Sequence, residues 1–242
     1  MNTNKHSITV NDIEIQIVRK DIKNLHLAVY PPDGHVRVSV PLHVSDDNVR
    51  LAVISRLSWI KKQKGHFQKQ ARQSKRDMVS GESHYLWGKR YRLEVVKRWG
   101  AHQVEIKNHN WLRLYVQPNT SVYNRYRLLN EYYRSEIKKR IPALLNKWEP
   151  ILGEYNIECK IKKMKTKWGS CNISERRIWL NLELAKKPPE CLEYILVHEM
   201  IHLKERLHNE NFRAYMDKYL PKWQLYRDMI NQAPLAHEDC VF

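Results

Sequence analysis

The stretch Pro188-Pro-Glu-Cys-Leu-Glu-Tyr-Ile-Leu-Val-His-Glu-Met-Ile-His-Leu203 decides how this chain is read. Two prolines open a helix, and Leu192, Ile195 and Leu196 give it an apolar body. Residues four apart share a helical face, so His198 and His202 can offer ring nitrogens to one metal ion. Glu199 then lies beside the metal but off the ligand row, where it can take a proton from an attacking water. Zinc lowers the pKa of such a water to about 7. The competing reading is a solvated helix face with two ordinary histidines. Ile195, Leu196, Val197 and Ile201 argue against it, because buried imidazoles and carboxyls without partners are costly.

A catalytic zinc needs a third protein ligand and an open position. His208, six residues after His202, is the first candidate. Glu205 can share the face of His202, and Glu210, Asp217 and His237 are more distant choices. The spacing of His198, His202 and His208 equals that of the metzincin pattern, but Glu205 stands where that pattern has glycine. The chain must therefore turn near Arg206-Leu207 without a glycine's freedom.

Upstream, the period-two segments Ile157-Cys159-Ile161 and Ile178-Leu180-Leu182 predict strands. Between them, Trp168-Gly-Ser-Cys171 predicts a turn with Trp168 as a core anchor; the alternative is a substrate-side loop with Ser170 or Cys171 facing the metal. A long helix is expected from Val122 to Gly153, with Pro142 kinking or splitting it. A last helix is expected from about Asn211 to Ile230. Alternating hydrophobics at 13–17, 25–29, 36–40, 91–95, 104–106 and 111–116 predict strands of one mainly antiparallel sheet. A basic helix over about 46–76 interrupts them. The fold class is α+β, with a mainly antiparallel β portion and basic helix in residues 1–120 and an α+β catalytic portion in 121–242.

The chain has 242 residues, 43 Lys and Arg against 26 Asp and Glu, and a net charge of +17. This surface favours anionic partners. Residues 1–120 hold +11 of the surplus. Arg50–Arg76 alone carries nine cations and no acid. That segment is either a solvated helix face or a phosphate-tracking surface for nucleic acid, with Trp59, His66 and Phe67 available for stacking. Four cysteines, none in a C-x-x-C pair, do not make a disulfide scaffold, which points to a reducing, cytoplasmic setting. No apolar run approaches the ~20 residues of a membrane span, and no signal peptide is recognisable at the N-terminus.

Lys167-Trp-Gly-Ser-Cys171, Ile178-x-x-Asn181-x-x-Leu184, Pro188, Val197-His-Glu-Met-Ile-His-Leu203, His208-Asn209 and Phe212 together closely resemble the YgjP-like metallopeptidases, relatives of the SprT and WLM zinc proteases. Pro32-Asp33-Gly34, Trp59-Ile60, Gly81-Glu82 and Leu86-Trp87-Gly88-Lys89-Arg90-Tyr91 extend the likeness over nearly the whole chain. Met200-Ile201 stands where many members have Leu-Ala. The resemblance implies a zincin-like catalytic domain whose HExxH helix forms part of a three-histidine Zn2+ site. It maps His198, His202 and His208 as metal ligands and Glu199 as the catalytic base acting on protein or peptide substrates. The alternative is a basic zinc-containing module that binds nucleic acid or a partner without catalysis. The sequence leaves the oligomeric state open.

Overall fold

The computed structural model describes residues 5–30, 34–69, 77–164 and 166–232, excluding the side chains of 66–69. The second half of the basic segment, His237 and Cys240 lie outside the described residues.

Alternation of buried and exposed side chains makes four strands of the first residues: β1 (Lys5–Val10), β2 (Ile13–Lys20), β3 (His26–Tyr30) and β4 (His35–Pro41). They are ordered β1-β2-β4-β3, with β2 parallel to β4 and the other pairs antiparallel. Asn11 and Asp12, at φ 44° and 61°, form the two-residue turn joining β1 to β2. Two helices follow, α1 (Asp46–Ile54) and α2 (Leu57–Lys69). Ser45 caps α1 by accepting from the Asn48 backbone N–H, and Val49, Val53 and Ile60 join Ile15, Ile17 and Val38 in the core. The single basic helix expected over about 46–76 is thus two helices in its described part. Ser55 ends α1, its Oγ donating to the Ala52 carbonyl at 3.0 Å.

The same plan recurs. Strands β5 (Ser83–Leu86), β6 (Lys89–Lys97), β7 (Gln103–Lys107) and β8 (Trp111–Val116) are ordered β5-β6-β8-β7, with β6 parallel to β8. The expected single antiparallel sheet is therefore two four-stranded sheets, each with a central parallel pair. Equivalent strands even carry equivalent pairs: Arg37 donates to Gln16 at 2.7 Å, and Arg113 to Glu94 at 2.6 Å. After β8, Ser121 caps α3 (Val122–Leu152) as Ser45 caps α1. This 31-residue helix passes unbroken through Pro142 and Pro150. Its buried stripe of Ile137, Ile141 and Trp148 holds both sides of Pro142, so packing outweighs the missing backbone bond.

A three-stranded sheet completes the β structure: β9 (Glu158–Lys162), β10 (Gly169–Asn172) and β11 (Arg177–Asn181), ordered β10-β11-β9. A 3-10 helix (Leu182–Lys186) leads to α4 (Pro189–Ile201), then α5 (Glu210–Tyr219) and α6 (Trp223–Gln232). The single last helix expected from the sequence is split by Pro221. Proline disfavours helical backbone in the residue before it, and Leu220 leaves the helix at φ −137°, ψ 70°. By compactness the chain divides between Gln73 and Ser74; residue 120 falls inside the second unit, in the link from β8 to α3. The reason is packing: α3 contacts β7 and β8, and β5 contacts the 3-10 helix. The architecture is α+β, and no described helix is long and apolar enough to cross a membrane.

Candidate metal centre and active-site cleft

Helix α4 is apolar nearly all round, so it is enclosed by β10, β11, α3, α5, α6 and the 3-10 helix. Its last turn carries His198 and Glu199, and His202 is its C-cap. The chain then turns through 203–208 with no residue at positive φ. Glu205 makes that turn without glycine. Its carboxylate accepts from the Leu207 backbone N–H at 3.2 Å, and this bond leads the interactions that hold its pKa below the ordinary value. Asn209 caps α5 by accepting from the Phe212 N–H at 3.0 Å, which places His208 just ahead of the helix.

These elements bring three imidazoles together. One nitrogen from each of His198, His202 and His208 lies within 4.8 Å of the other two. Nε2 of His198 faces Nε2 of His208 at 3.0 Å. Nδ1 of His202 donates to the Glu205 carbonyl at 3.0 Å, which leaves its Nε2 with a free lone pair. Nδ1 of His198 is buried with no partner among the described residues. Phe212, itself buried, packs against all three rings, with centroids 4.7–4.9 Å away. Burial, then the neighbouring histidines, pulls the His198 pKa down to about 3, and burial foremost lowers that of His202. Both rings are neutral at physiological pH, as metal ligands must be. The donor set therefore fits a metal ion.

The other acids weighed from the sequence are not part of this cluster. Glu205 is engaged in the turn. Asp217 accepts from Trp223 Nε1 at 2.7 Å, and Glu210 lies in the first turn of α5. Among the described residues, only the three histidines form a metal-capable group.

A cleft of about 470 Å³ opens over the cluster, lined by Glu199, the three histidines, Tyr194 and the segment Lys167–Cys171. Glu199 is only 6% exposed. Burial pushes its pKa up to about 7, opposed by the charge of Lys167. The Lys167–Cys171 segment is not the turn expected. Residues 169–172 form the edge strand β10, and their backbone lies against α4. A Cβ on Gly169 would come within 2.6 Å of Glu199 Oε1 and 2.8 Å of Ile195, so glycine is required for this approach. Cys171 lines the cleft, but burial foremost pushes its thiol up to about 11, which does not favour a nucleophilic thiolate.

Asn181 belongs to the motif that carries the family resemblance, but the sequence did not convey what it does. Fully buried at the end of β11, it donates to the Met164 and Lys167 carbonyls at 2.9 and 2.7 Å, accepts from the Glu183 N–H, and its own N–H reaches the Trp168 carbonyl. It pins the segment that forms the cleft wall. An asparagine just after an alternating strand is the available signal, and it reads as a helix cap, which Asn181 also is.

The chain is similar to several known proteins. A protein of Aquifex aeolicus (strain VF5), described as uncharacterized protein aq_aa15, is 32% identical over 109 residues, spanning 40% of this chain and 99% of its own length. Two solved structures also match in part. The crystal structure of the metallopeptidase zymogen abylysin of Pyrococcus abyssi is 25% identical over 37% of this chain and 90% of its own, at TM-score 0.35. That of the metallopeptidase zymogen jannalysin of Methanocaldococcus jannaschii is 26% identical over 38% and 94%, at TM-score 0.34. The YgjP-like metallopeptidase domain matches residues 23–233, and the chain belongs to that family of metallopeptidases.

Proposed function

We propose that this metallopeptidase is a zinc enzyme in which His198, His202 and His208 hold the metal and Glu199 is the general base. The observation that carries this is the convergence of three imidazoles beside a buried carboxyl at the floor of one cleft. Three nitrogen donors suit zinc and leave a coordination position for substrate or water. Bound there, zinc supplies Lewis acidity towards the scissile carbonyl and a lowered pKa for the attacking water. Glu199 takes the proton of that water as its oxygen bonds to the carbonyl carbon. It then hands the proton to the amide nitrogen as the C–N bond breaks, giving a carboxylic acid and an amine. Phe212 and the Nδ1 bond of His202 hold the rings in place. Among the described residues strand β10 pairs with β11 on one side only, so its other edge can take an extended peptide beside Ser170 and Cys171.

Glu199→Gln tests the role of the base. It should retain one zinc per chain and lose ~10²–10⁴-fold in kcat, whereas His202→Ala should lose the metal. Native-rate cleavage by Glu199→Gln would remove Glu199 from this role.

One observation favours a second, docking function for the basic segment. Arg56 and the 42%-exposed Trp59 line a groove with Leu25, His26 and Leu27, and Lys61 and Lys62 follow on α2. Cations beside an accessible indole suit single-stranded nucleic acid. An oligonucleotide should quench Trp59 fluorescence, with affinity falling as salt rises. Unchanged binding in an Arg56→Glu, Trp59→Ala double variant would dismiss the groove.

A further inference from the structure

The wall of the catalytic cleft carries two cations beside the proposed base and metal ligands. Lys167 enters from the segment before β10, and Arg206 from the turn after α4. Among the described residues, Glu199 is the only acid that lines the same space. Among the described residues, neither Lys167 nor Arg206 forms an ion pair with a carboxylate.

Both cations stand on fixed backbone. The Lys167 carbonyl is held by the buried amide of Asn181 at 2.7 Å. The turn carrying Arg206 is closed on the Glu205 carboxylate, which accepts from the Leu207 N–H at 3.2 Å. Their side chains are exposed, so each remains available to a ligand while its origin does not move. The three imidazoles add no negative charge, and a metal held there adds more positive charge. The cleft thus presents unpaired positive charge on the walls that flank the scissile bond.

We propose that Lys167 and Arg206 are specificity-determining residues that select a substrate carboxylate next to the bond to be cut. This rests on the peptidase reading of the same site. The carboxylate has two sources: an Asp or Glu side chain within an extended peptide, or the α-carboxylate of a peptide's C-terminus. An ammonium attracts either as a point charge, and a guanidinium can grip either bidentately.

The experiment uses the full chain loaded with zinc and matched peptides of one length. One set carries Glu, Ala or Lys on either side of a single cleavable bond, with both ends blocked. A second set is neutral, with its C-terminus free or amidated. Wild type should prefer Glu to Lys by on the order of tenfold or more in kcat/KM, and Lys167→Glu or Arg206→Glu should invert the order. Preference for a free over an amidated C-terminus would assign the α-carboxylate as the source; preference within the blocked set would assign the side chain. The same peptides are titrated by fluorescence anisotropy into Glu199→Gln, with and without Lys167→Glu. Charge-selective binding there supports the proposal even if no peptide is cut, in which case the peptidase reading alone fails. Equal handling of Glu, Ala and Lys peptides and of both C-termini, in cleavage and in binding, overturns it. So does a charge reversal that weakens every peptide alike.

Discussion

The two four-stranded modules of this protein share strand order, a central parallel pair, an arginine-centred polar pair and a serine-capped helix, and the second packs against the 3-10 helix and against α4, which bears His198 and Glu199. Topology therefore does not account for the site. The difference lies in what each hairpin and each helix touches. In the first module, Asn11 and Asp12 sit at an exposed turn and the helical segment breaks at Ser55. In the second, the turn is Trp87–Gly88. The Trp87 N–H donates to the Ala185 carbonyl at 2.8 Å, and Arg140 of α3 lies 4.4 Å over the Trp87 ring. That turn fixes the end of the 3-10 helix just before α4, while unbroken α3 packs against both. The helix bearing His198 and Glu199 is thus seated in part by the turn and the long helix of the second module.

The largest test of this contrast compares Ile15 with Leu93. Each is fully buried on the inner parallel strand of its sheet, opposite Val36 and Leu112 respectively. Truncation to alanine removes similar apolar volume from either core and should cost about 2–5 kcal/mol. Hydrogen exchange should show protection lost across residues 5–69 in Ile15→Ala and across 77–232 in Leu93→Ala. Added zinc should bind less tightly only in the latter. The same loss of protection in both units from either variant would show that the two cores unfold as one, and the contrast would lose its energetic meaning.

What the sequence disclosed follows the range of the interactions involved. His198, Glu199 and His202 were legible because helical spacing alone puts them together, and His208 because zinc needs a third donor within reach. The α+β class was legible from period and from turn residues. The duplication was not, since the matched positions hold different residues, such as Gln16 and Glu94 beside their arginines. Nor was the join of parallel strands, because alternation looks the same in either direction. The breaks at Ser55 and Pro221 and the continuity through Pro142 show local rules and packing competing. Pro221 acts where the buried side chains on either side belong to different helices, whereas Pro142 lies within one continuous buried stripe. The role of Gly169 depends on Glu199, thirty residues away in sequence. No local pattern conveys that contact.

The smaller and sharper test lies at the turns themselves. Gly88 and Asp12 are the second residues of equivalent turns, at φ 78° and 61°. Alanine at either must adopt left-handed backbone, a strain of about 1–2 kcal/mol for an L-residue relative to glycine. Aspartate already bears part of that strain, so Asp12→Ala should cost less than ~1 kcal/mol, and the turn is exposed. At Gly88 a Cβ would also meet Pro188 Cγ at 3.0 Å and its Cδ and backbone N at 3.2 Å. Pro188 is the N-cap of α4, so relief of this contact displaces the start of the active-site helix. Gly88→Ala should therefore lower kcat/KM and weaken zinc retention beyond what its loss of stability explains, measured well below its melting temperature. Asp12→Ala should leave both unchanged. If the two variants differ only in melting temperature, the hairpin of the second module is a stabilising contact and not a seat for the catalytic helix. If Gly88→Ala loses zinc while its core keeps full exchange protection, the effect is positional, and the path from turn to α4 to His198 is the one that separates the two modules.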